Sequence, residues 1–342
     1  MDTRSTDETF LARALELAAR GPGADPNPRV GCVVVTGDSV VGEGWHDGAG
    51  TPHAEVRALS AAGDRARGGT AYVTLEPCAH VGRTGPCADA LVTAGVRRVV
   101  YAQPDPNPAA RGGAALLSDA GVEVSGGLMA TEAAALNVHW TFAVEHERPY
   151  VTWKFAVTLD GRSAAADGSS RWITGEQARA DVHRLRASAG ALVVGTGTVL
   201  ADDPALTVRT PDAPRRPPLR VIVGEREIPR TARVLDDSAP TLQLPTHDPQ
   251  LVLKQLHAQE IRHVWLEGGP SLAAAFLRSG LVDEVVAYLA PALLGDGAAA
   301  VAGLGIGSID GIRRFELSDV TRLGDDVRLR MRTTTTPTTK EA

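Results

Sequence analysis

The sequence predicts two α/β units in tandem, and three observations carry that expectation. Short apolar runs bounded by glycine and proline alternate with helix-length stretches, the pattern of strands and helices layered around a central sheet. The chain's 342 residues exceed one ordinary core and suit two domains of roughly 150 residues each. No internal repeat relates the halves, and a new series of strands opens near Pro149, so the expected domains are 1–146 and 147–342.

In the first unit a helix is expected over 9–20, with Phe10, Ala14, Leu17 and Ala18 on one face. Gly21-Pro22-Gly23 stops it, and Asp25-Pro26-Asn27-Pro28 forms a rigid turn. Strands over 30–36 and 40–45 join across Gly37-Asp38 as a hairpin. Pro52, tolerated in a first helical turn, opens a helix over 53–62. A short strand over 71–75 runs into Glu76-Pro77-Cys78, and Pro86 opens a helix over 87–94 that Gly95 ends. A strand over 96–102, a helix over 113–120, a strand over 122–125 and a closing helix over 132–144 complete an α/β/α sandwich.

The second unit begins with a strand over 150–158 and the turn Leu159-Asp160-Gly161. A helix follows over 175–188 with Ala178, Val182 and Leu185 inward, then buried strands over 191–194, 219–223 and 263–266. A helix over 270–278 starts immediately after Gly268-Gly269, a strand covers 284–289, and 315–321 with 327–332 forms a terminal hairpin. Four prolines make 210–218 a surface loop, and the tail 333–342 lacks the apolar surface to order itself. Aromatic residues are scarce and Ala and Gly abundant, so helices should pack closely on strands.

Composition removes several function classes. A net charge of −6 and a pI near 5.9 give no basic footprint for nucleic acid. No run of eighteen apolar residues suggests a membrane span, and Met1-Asp2-Thr3-Arg4 lacks an apolar signal segment. Three cysteines are too few for a disulfide framework, so free thiols in a reducing cytoplasm are expected. A homo-oligomer, dimer or tetramer, is also expected. A few arginines suffice to bind a small phosphorylated substrate.

The chemistry concentrates in His53-Ala54-Glu55, Pro77-Cys78 and Cys87. Catalytic zinc takes three protein ligands, keeps one position open, and lowers the pKa of its bound water to about 7. One histidine and two cysteines fit that need, and Glu55 stands ready to move protons between water and a leaving amine. An H-x-E…P-C-x-x-C pattern marks zinc nucleobase deaminases, although here eight residues rather than two separate Cys78 from Cys87. His53 and Cys87 are expected in the first turns of helices, where the positive helix end favours thiolate. Two plainer readings remain. His53 could be a surface residue with both cysteines in the core, or His80 could complete a purely structural zinc site. The joint order of the motif weighs against both. Cys32, inside an apolar run, is expected in the core.

In the second unit, Gly195-Thr196-Gly197-Thr198-Val199-Leu200 starts like a dinucleotide fingerprint but has leucine at the third glycine position. No acidic residue follows a second strand at the expected spacing, so a Rossmann fold is disfavoured. Glu267-Gly268-Gly269-Pro270-Ser271 joins a strand to a helix and offers bare backbone N–H groups to a pyrophosphate. Residues 195–198 supply a second loop for close approach.

These segments together resemble the bifunctional riboflavin-biosynthesis deaminase/reductase family. The likeness runs through Pro26-Asn27-Pro28-Arg29-Val30-Gly31-Cys32, Val41-Gly42-Glu43-Gly44-Trp45-His46, Pro52-His53-Ala54-Glu55 and the whole stretch from Leu75 to Cys87. It continues in Leu159-Asp160-Gly161-Arg162, Trp172-Ile173-Thr174, TVLADDPALTVR over 198–209, and Glu267-Gly268-Gly269-Pro270. The long cysteine spacing is among its most specific marks. The resemblance implies a cytidine-deaminase-like α/β/α sandwich followed by a dihydrofolate-reductase-like α/β domain. It implies a diamino-hydroxy-pyrimidine carrying a phosphoribosylamino group as substrate, with zinc-dependent loss of one amino group. NADPH then reduces the ribose to a ribityl chain.

The resemblance further implies one zinc held by His53, Cys78 and Cys87, with Glu55 catalytic. Ala156, Trp172, Thr198, Asp202, Gly269, Pro270, Ser271, Leu272, Ala273, Ala274 and Ala275 would line the NADPH site. Ser170, Arg186, Leu206, Arg209 and Glu267 would bind substrate, with Lys154 close by. In the first unit Asn27 would meet the pyrimidine edge, and His80 and Arg83 belong to a basic loop beside the metal, where Arg83 suits a phosphate. Plainer alternatives are a helix-surface role for Arg186, core packing for Trp172, a solvated charge for Arg83 and turn chemistry for Asn27. Val223-Gly224-Glu225 departs from the Asp-Ser frequent in the family, which puts a cofactor contact there in doubt. Two other functions compete: a deaminase with a degenerate C-terminal module, and a zinc-stabilised interaction protein without turnover.

Overall fold

A computed structural model describes residues 3–80, 85–210, 213–214 and 216–334. The chain divides into two compact units, Met1–Glu147 and Arg148–Ala342.

The first unit runs α1 (Thr3–Ala18), β1 (Gly31–Thr36), β2 (Ser39–Trp45), α2 (Ala54–Ala62), β3 (Thr70–Leu75), α3 (Cys87–Thr93), β4 (Arg98–Gln103), α4 (Gly113–Asp119), β5 (Glu123–Gly126), α5 (Ala130–Leu136) and α6 (Val138–His146). Its sheet has the order β2-β1-β3-β4-β5, with β1 antiparallel to both neighbours and β3, β4 and β5 parallel. Side chains alternate across a strand. Cys32 and Val34 therefore join the α2, α3 and α4 residues Ala58, Leu91 and Leu117 on one face. Val33 and Val35 meet Leu11, Ala14 and Leu17 of α1 on the other. The expected close packing is extreme under α2. A Cβ on Gly42 would lie 2.1 Å from the Ala58 carbonyl oxygen, and one on Gly44 2.4 Å from that of Ala54. Helix α2 thus rests directly on the β2 backbone, which fixes where its N-terminus points.

Two expectations are corrected here. The closing helix over 132–144 is two helices, α5 and α6, because Asn137 binds elsewhere. Its Oδ1 accepts the Arg29 N–H (2.8 Å) and its Nδ2 donates to the Arg29 carbonyl (2.9 Å). The first helix begins at Thr3 rather than at residue 9. Asp7 anchors that added turn, receiving both Arg98 Nη atoms at 2.8 Å and the Tyr72 hydroxyl at 2.9 Å.

The second unit runs β6 (Tyr150–Thr158), α7 (Glu176–Arg186), β7 (Ala191–Gly195), α8 (Thr196–Asp202), β8 (Leu219–Val223), β9 (Thr241–Leu244), α9 (Pro249–Ala258), β10 (His263–Leu266), α10 (Pro270–Arg278), β11 (Glu284–Ala290), β12 (Phe315–Leu323) and β13 (Asp326–Thr333). Strand order is β12-β13-β11-β6-β10-β7-β8-β9. The six strands from β11 to β9 are parallel, and the β12–β13 hairpin adds antiparallel at β11. Parallel strands bring the segments after β6, β7, β8 and β10 to one edge, where open α/β sheets bind ligands.

Residues 195–198, expected as a loop, lead straight into α8, and burial of Val199 holds that helix down. Strand β9 and helix α9 are additions to the expected elements, although α9 is well signalled. Asp248 accepts the Gln250 N–H at 2.9 Å, Pro249 occupies the first turn, and Val252, Leu253 and Leu256 are buried. The described part of 210–218 is neither helix nor strand. Of the tail, Thr333 ends β13 and residues 335–342 lie outside the described residues. Among the described residues, no helix is long and apolar enough to cross a membrane.

Candidate functional site

Three ligand-type side chains meet where elements of the first unit begin or end. His53 caps α2 from just outside it, rather than within its first turn, Cys87 opens α3, and Cys78 follows β3. Their ligand atoms all lie within 4.8 Å of one another. His53 Nδ1 stands 3.2 Å from Cys87 Sγ and 3.7 Å from Cys78 Sγ. Tetrahedral zinc with bonds of about 2.0–2.3 Å needs ligand–ligand edges of roughly 3.5 Å. The donor set and its spacing therefore fit zinc. His80 is exposed and outside the cluster, which among the described residues has three members, the number a catalytic site uses.

The electrostatics suit a cation. Hydrogen bonding from the Cys87 thiol, helped by His53 and the Cys87 N–H, outweighs burial and pulls the Cys78 thiol down to about 4. The same contact with Cys78 pushes the Cys87 thiol up. Interaction with Cys78 also raises the His53 pKa. Glu55, in the first turn of α2, is 4% exposed, and burial raises its pKa against the opposing pull of its own backbone N–H and His53. A carboxyl that holds its proton more tightly than in water is equipped to deliver it.

Around this cluster the structure adds His46, Glu76 and Asp105, to none of which the sequence reading gave a role, although His46 and Glu76 lie in segments that carry the family resemblance. Asn27 donates through Nδ2 to His46 Nε2 (3.1 Å), and His46 Nδ1 faces the Pro52 carbonyl (3.3 Å). The His46 ring stands edge-on to His53 with centroids 5.3 Å apart, and burial lowers its pKa. The turn itself is capped by Asp25, whose Oδ1 accepts the Asn27 N–H at 3.0 Å, which leaves the Asn27 side chain free for another role. Glu76 accepts the N–H groups of Asp105 (3.2 Å), Gly112 (3.0 Å) and Ala114 (3.1 Å). It thereby ties the segment 105–114 to the Cys78 turn, and the Ala79 N–H reaches the Ala110 carbonyl at 2.9 Å. Burial pushes Asp105 in that segment up to about 6. The sequence signals for this wall were the position of Glu76 directly before Pro77-Cys78 and that of His46 at the end of the segment 41–46. Arg83 lies outside the described residues.

In the second unit a buried ion pair dominates. Arg186 Nε and Nη2 each reach a Glu267 carboxylate oxygen at 2.5 Å, and Trp265 Nε1 adds a third bond at 2.5 Å. With side chains 12% and 11% exposed, this is no helix-surface cation. Burial favours protonated Glu267, but the charges of Arg186 and Lys154 override it and hold the carboxyl at about 2. Burial in turn lowers the pKa of Lys154. Arg186 Nη1 also donates to the Thr207 carbonyl (3.2 Å), beside Leu206, which is buried with φ of 46°. Arg209 is exposed, with Nη1 on Thr207 Oγ1 (2.9 Å) and Nη2 3.0 Å from His183 Nε2.

The candidate cofactor residues divide. Thr198 Oγ1 accepts the Gly269 N–H at 3.2 Å, which joins the start of α8 to that of α10. A Cβ on Gly269 would meet nothing nearer than that Oγ1, at 3.5 Å, and the α10 N-terminus has no side-chain cap. Bare backbone at an uncapped, nine-residue helix fits a phosphate-bearing cofactor. Pro270, Ser271 and Leu272 form the accessible first turn, and Ala275 is half-buried. Ala273 and Ala274 are fully buried and cannot line a cofactor with their side chains, because helical rotation turns them into the core. Ser170 Oγ reaches Asp202 Oδ1 at 3.4 Å, and Ala156 packs partly buried against the core. Trp172 is 69% exposed with the Arg179 guanidinium 4.7 Å from its ring, which rules out core packing. A separate cleft of about 440 Å³ between the start of α7, the end of β11 and the β12–β13 turn contains none of these residues.

Comparison with known proteins covers both units. Residues 4–103 match the cytidine and deoxycytidylate deaminase zinc-binding region, and 149–329 match the RibD C-terminal domain. The riboflavin biosynthesis protein RibD of Mycobacterium tuberculosis is 48% identical over 331 residues, spanning 95% of this chain and 97% of its own. That of Escherichia coli K12 is 44% identical over 362 residues, spanning 95% and 99%. Among solved structures, Acinetobacter baumannii RibD superposes with a TM-score of 0.91 at 43% identity, covering 97% of this chain and 100% of that one. A Thermotoga maritima diaminohydroxyphosphoribosylaminopyrimidine deaminase/5-amino-6-(5-phosphoribosylamino)uracil reductase gives 0.88 at 33% identity, with the same coverage.

Proposed function

The chain belongs to the RibD family of riboflavin-biosynthesis deaminase/reductases, and from that premise we propose which of its residues carry each reaction. It is a bifunctional enzyme with a zinc-type deaminase domain and an NADPH-type reductase domain. We assign deamination to 1–146 and reduction to 147–342. The substrate is the phosphoribosylaminopyrimidine named for the Thermotoga maritima relative.

His53, Cys78 and Cys87 would hold the zinc, which when bound would lower the pKa of a water and make a nucleophile available at neutral pH. Glu55 would take one proton from water and give it to the ring nitrogen, then take a second from the hydroxyl newly bonded to the ring carbon and give it to the amine, which leaves as ammonia. The buried carboxyl suits that relay, since its raised pKa lets it hold a proton between the two transfers. Asn27, fixed by His46, presents its amide to the pyrimidine edge. His80 and Arg83 receive the phosphate side of the substrate.

In the reductase domain NADPH supplies the hydride. The backbone at Gly269, with Thr198, Asp202 and the first turn of α10, would cradle the cofactor phosphates. Ala156 and Trp172 flank it. Glu267, kept ionised by Arg186 and Lys154, orients the opened ribose, while Ser170, Leu206 and Arg209 bind its remainder. The enzyme works in a reducing cytoplasm, in keeping with its three free cysteines, as a dimer or tetramer.

The observation that carries this reading is the buried Glu55 carboxyl beside three converging zinc-ligand atoms, in a chain whose other half matches the reductase domain. Purified protein incubated with the pyrimidine, with and without NADPH, tests it by product mass. Deaminated product alone without NADPH, and ribityl product with it, is the expected result; no mass change in either sample overturns it.

A further inference from the structure

Two arginines read as substrate-binding cations, Arg186 and Arg209, are held in different ways. Arg186 is forked onto the Glu267 carboxylate, so its charge is compensated within the protein. Arg209 is exposed, and among the described residues no carboxylate forms an ion pair with it. Its Nη1 donates to Thr207 Oγ1 at 2.9 Å, and its Nη2 lies 3.0 Å from His183 Nε2.

His183 stands on α7, three residues before Arg186 and therefore on the same side of the helix. A guanidinium has N–H groups and no acceptor, so His183 Nε2 must bring the lone pair to this bond, and the ring proton belongs on Nδ1. The ring is also neutral. Burial, and then the charges of Arg186 and Arg209, bring its pKa down to about 4, against the smaller pull of Glu267 and the Thr207 carbonyl. Arg209 itself meets a cationic field, its pKa lowered first by burial and then by Arg186 and Arg233. The Arg233 backbone is fixed there by its N–H, which donates to Asp203 Oδ1 at 2.8 Å.

A neutral acceptor orients a guanidinium without cancelling its charge, whereas a carboxylate does both. Thr207 and His183 each engage one N–H group of Arg209, and the remaining donors are left for an anion. A phosphoribosylamino substrate carries such an anion, and phosphate oxygens suit the guanidinium fork. We propose that His183 is a positioning residue for the reduction step, which holds the Arg209 guanidinium for the substrate phosphate and leaves it its full positive charge. The proposal rests on the reading of Arg209 as a substrate-binding residue.

The test follows reduction of deaminated pyrimidine by NADPH in full-length wild type, Arg209→Ala, His183→Gln, His183→Leu, His183→Glu and the double variant Arg209→Ala/His183→Leu. Glutamine keeps a neutral acceptor, leucine keeps bulk without an acceptor, and glutamate keeps the acceptor but adds negative charge. The KM for the pyrimidine should rise about tenfold in His183→Leu, the scale of a hydrogen bond to a charged group. It should rise at least as far in His183→Glu, and by about threefold at most in His183→Gln. Inhibition by ribose 5-phosphate should weaken in the same order, while kcat, NADPH affinity and deamination stay at wild-type values. In the Arg209→Ala background His183→Leu should add nothing, because a positioning residue acts only through the group it holds. A wild-type KM in His183→Leu or His183→Glu, a loss in His183→Gln equal to that in His183→Leu, or a further rise in the double variant overturns the proposal. If KM is raised in Arg209→Ala alone, the reading of Arg209 survives that result. A wild-type KM in Arg209→Ala overturns both.

Discussion

The proposed zinc site and the proposed reductase site are built on opposite plans. The four side chains of the first lie between residues 53 and 87, each at the beginning of a helix or just past a strand. Those of the second are drawn from β6, α7, α8, the segment before β8, and the β10–α10 junction. A metal demands particular donor atoms at particular distances, so a short ordered motif betrays it. A dinucleotide site demands bare backbone and level strand ends, which belong to the sheet rather than to any one segment. Charge is also handled differently. The metal-ligand cluster favours thiolate at Cys78, whereas the Glu267 carboxylate is paired with Arg186 and held ionised by it and Lys154.

The independence of the two plans can be broken most severely at the metal. Cys87→Ser should lose zinc and abolish deamination, as measured by elemental analysis and ammonia release, while reduction of deaminated substrate continues. Loss of both activities together would show that the two sites do not stand apart. Glu55→Gln keeps the ligands and removes only the proton carrier, so deamination should fall by about 10²- to 10⁴-fold at full zinc content. Near-normal deamination would assign the proton transfer to another group.

On the reductase side, Arg186→Ala strands a buried carboxylate. Breaking one partner out of a buried pair costs about 3–5 kcal/mol, so denaturant unfolding of the second unit should shift by that order. Substrate affinity should weaken with little change in NADPH titration, and deamination should persist. Arg186→Lys should soften the loss, because it retains a cation but not the fork. The smallest effect is expected at Gly269→Val. The neighbouring Thr198 Oγ1, 3.5 Å from the new Cβ, tolerates a side chain in the fold. Thermal unfolding should therefore barely move, while NADPH affinity drops about tenfold, or about 1.4 kcal/mol. Unaltered affinity would move the cofactor phosphates away from the start of α10.

Several elements show where a linear reading stops. Asn137 reads as one more polar residue in an amphipathic run, yet it splits the expected helix because Arg29, 108 positions away, offers both backbone groups to it. Residues 195–198 read as a loop because two glycines oppose a helix, and burial of Val199 outweighs that cost. Helix position leaves a surface role open for Arg186, since it says nothing about Glu267, 81 positions later. By contrast β6, β8 and α10 lie where periodicity and proline–glycine punctuation put them.

By itself the sequence determined two α/β units, the residue types that can hold zinc, the carboxylate beside them, and the glycine-rich junction before α10. Local rules suffice for these, since strand and helix periods, turn residues and metal-ligand spacing act over a few residues. Only the tertiary structure decided that His46 supports Asn27, that Glu76 fastens a distant segment beside Cys78, and that His183 meets Arg209. It likewise turned Ala273 and Ala274 into the core and left Trp172 in solvent. Each of these depends on burial, or on a hydrogen-bond or backbone neighbour from another element, and such partners exist only after the sheets have set the order and level of their strands.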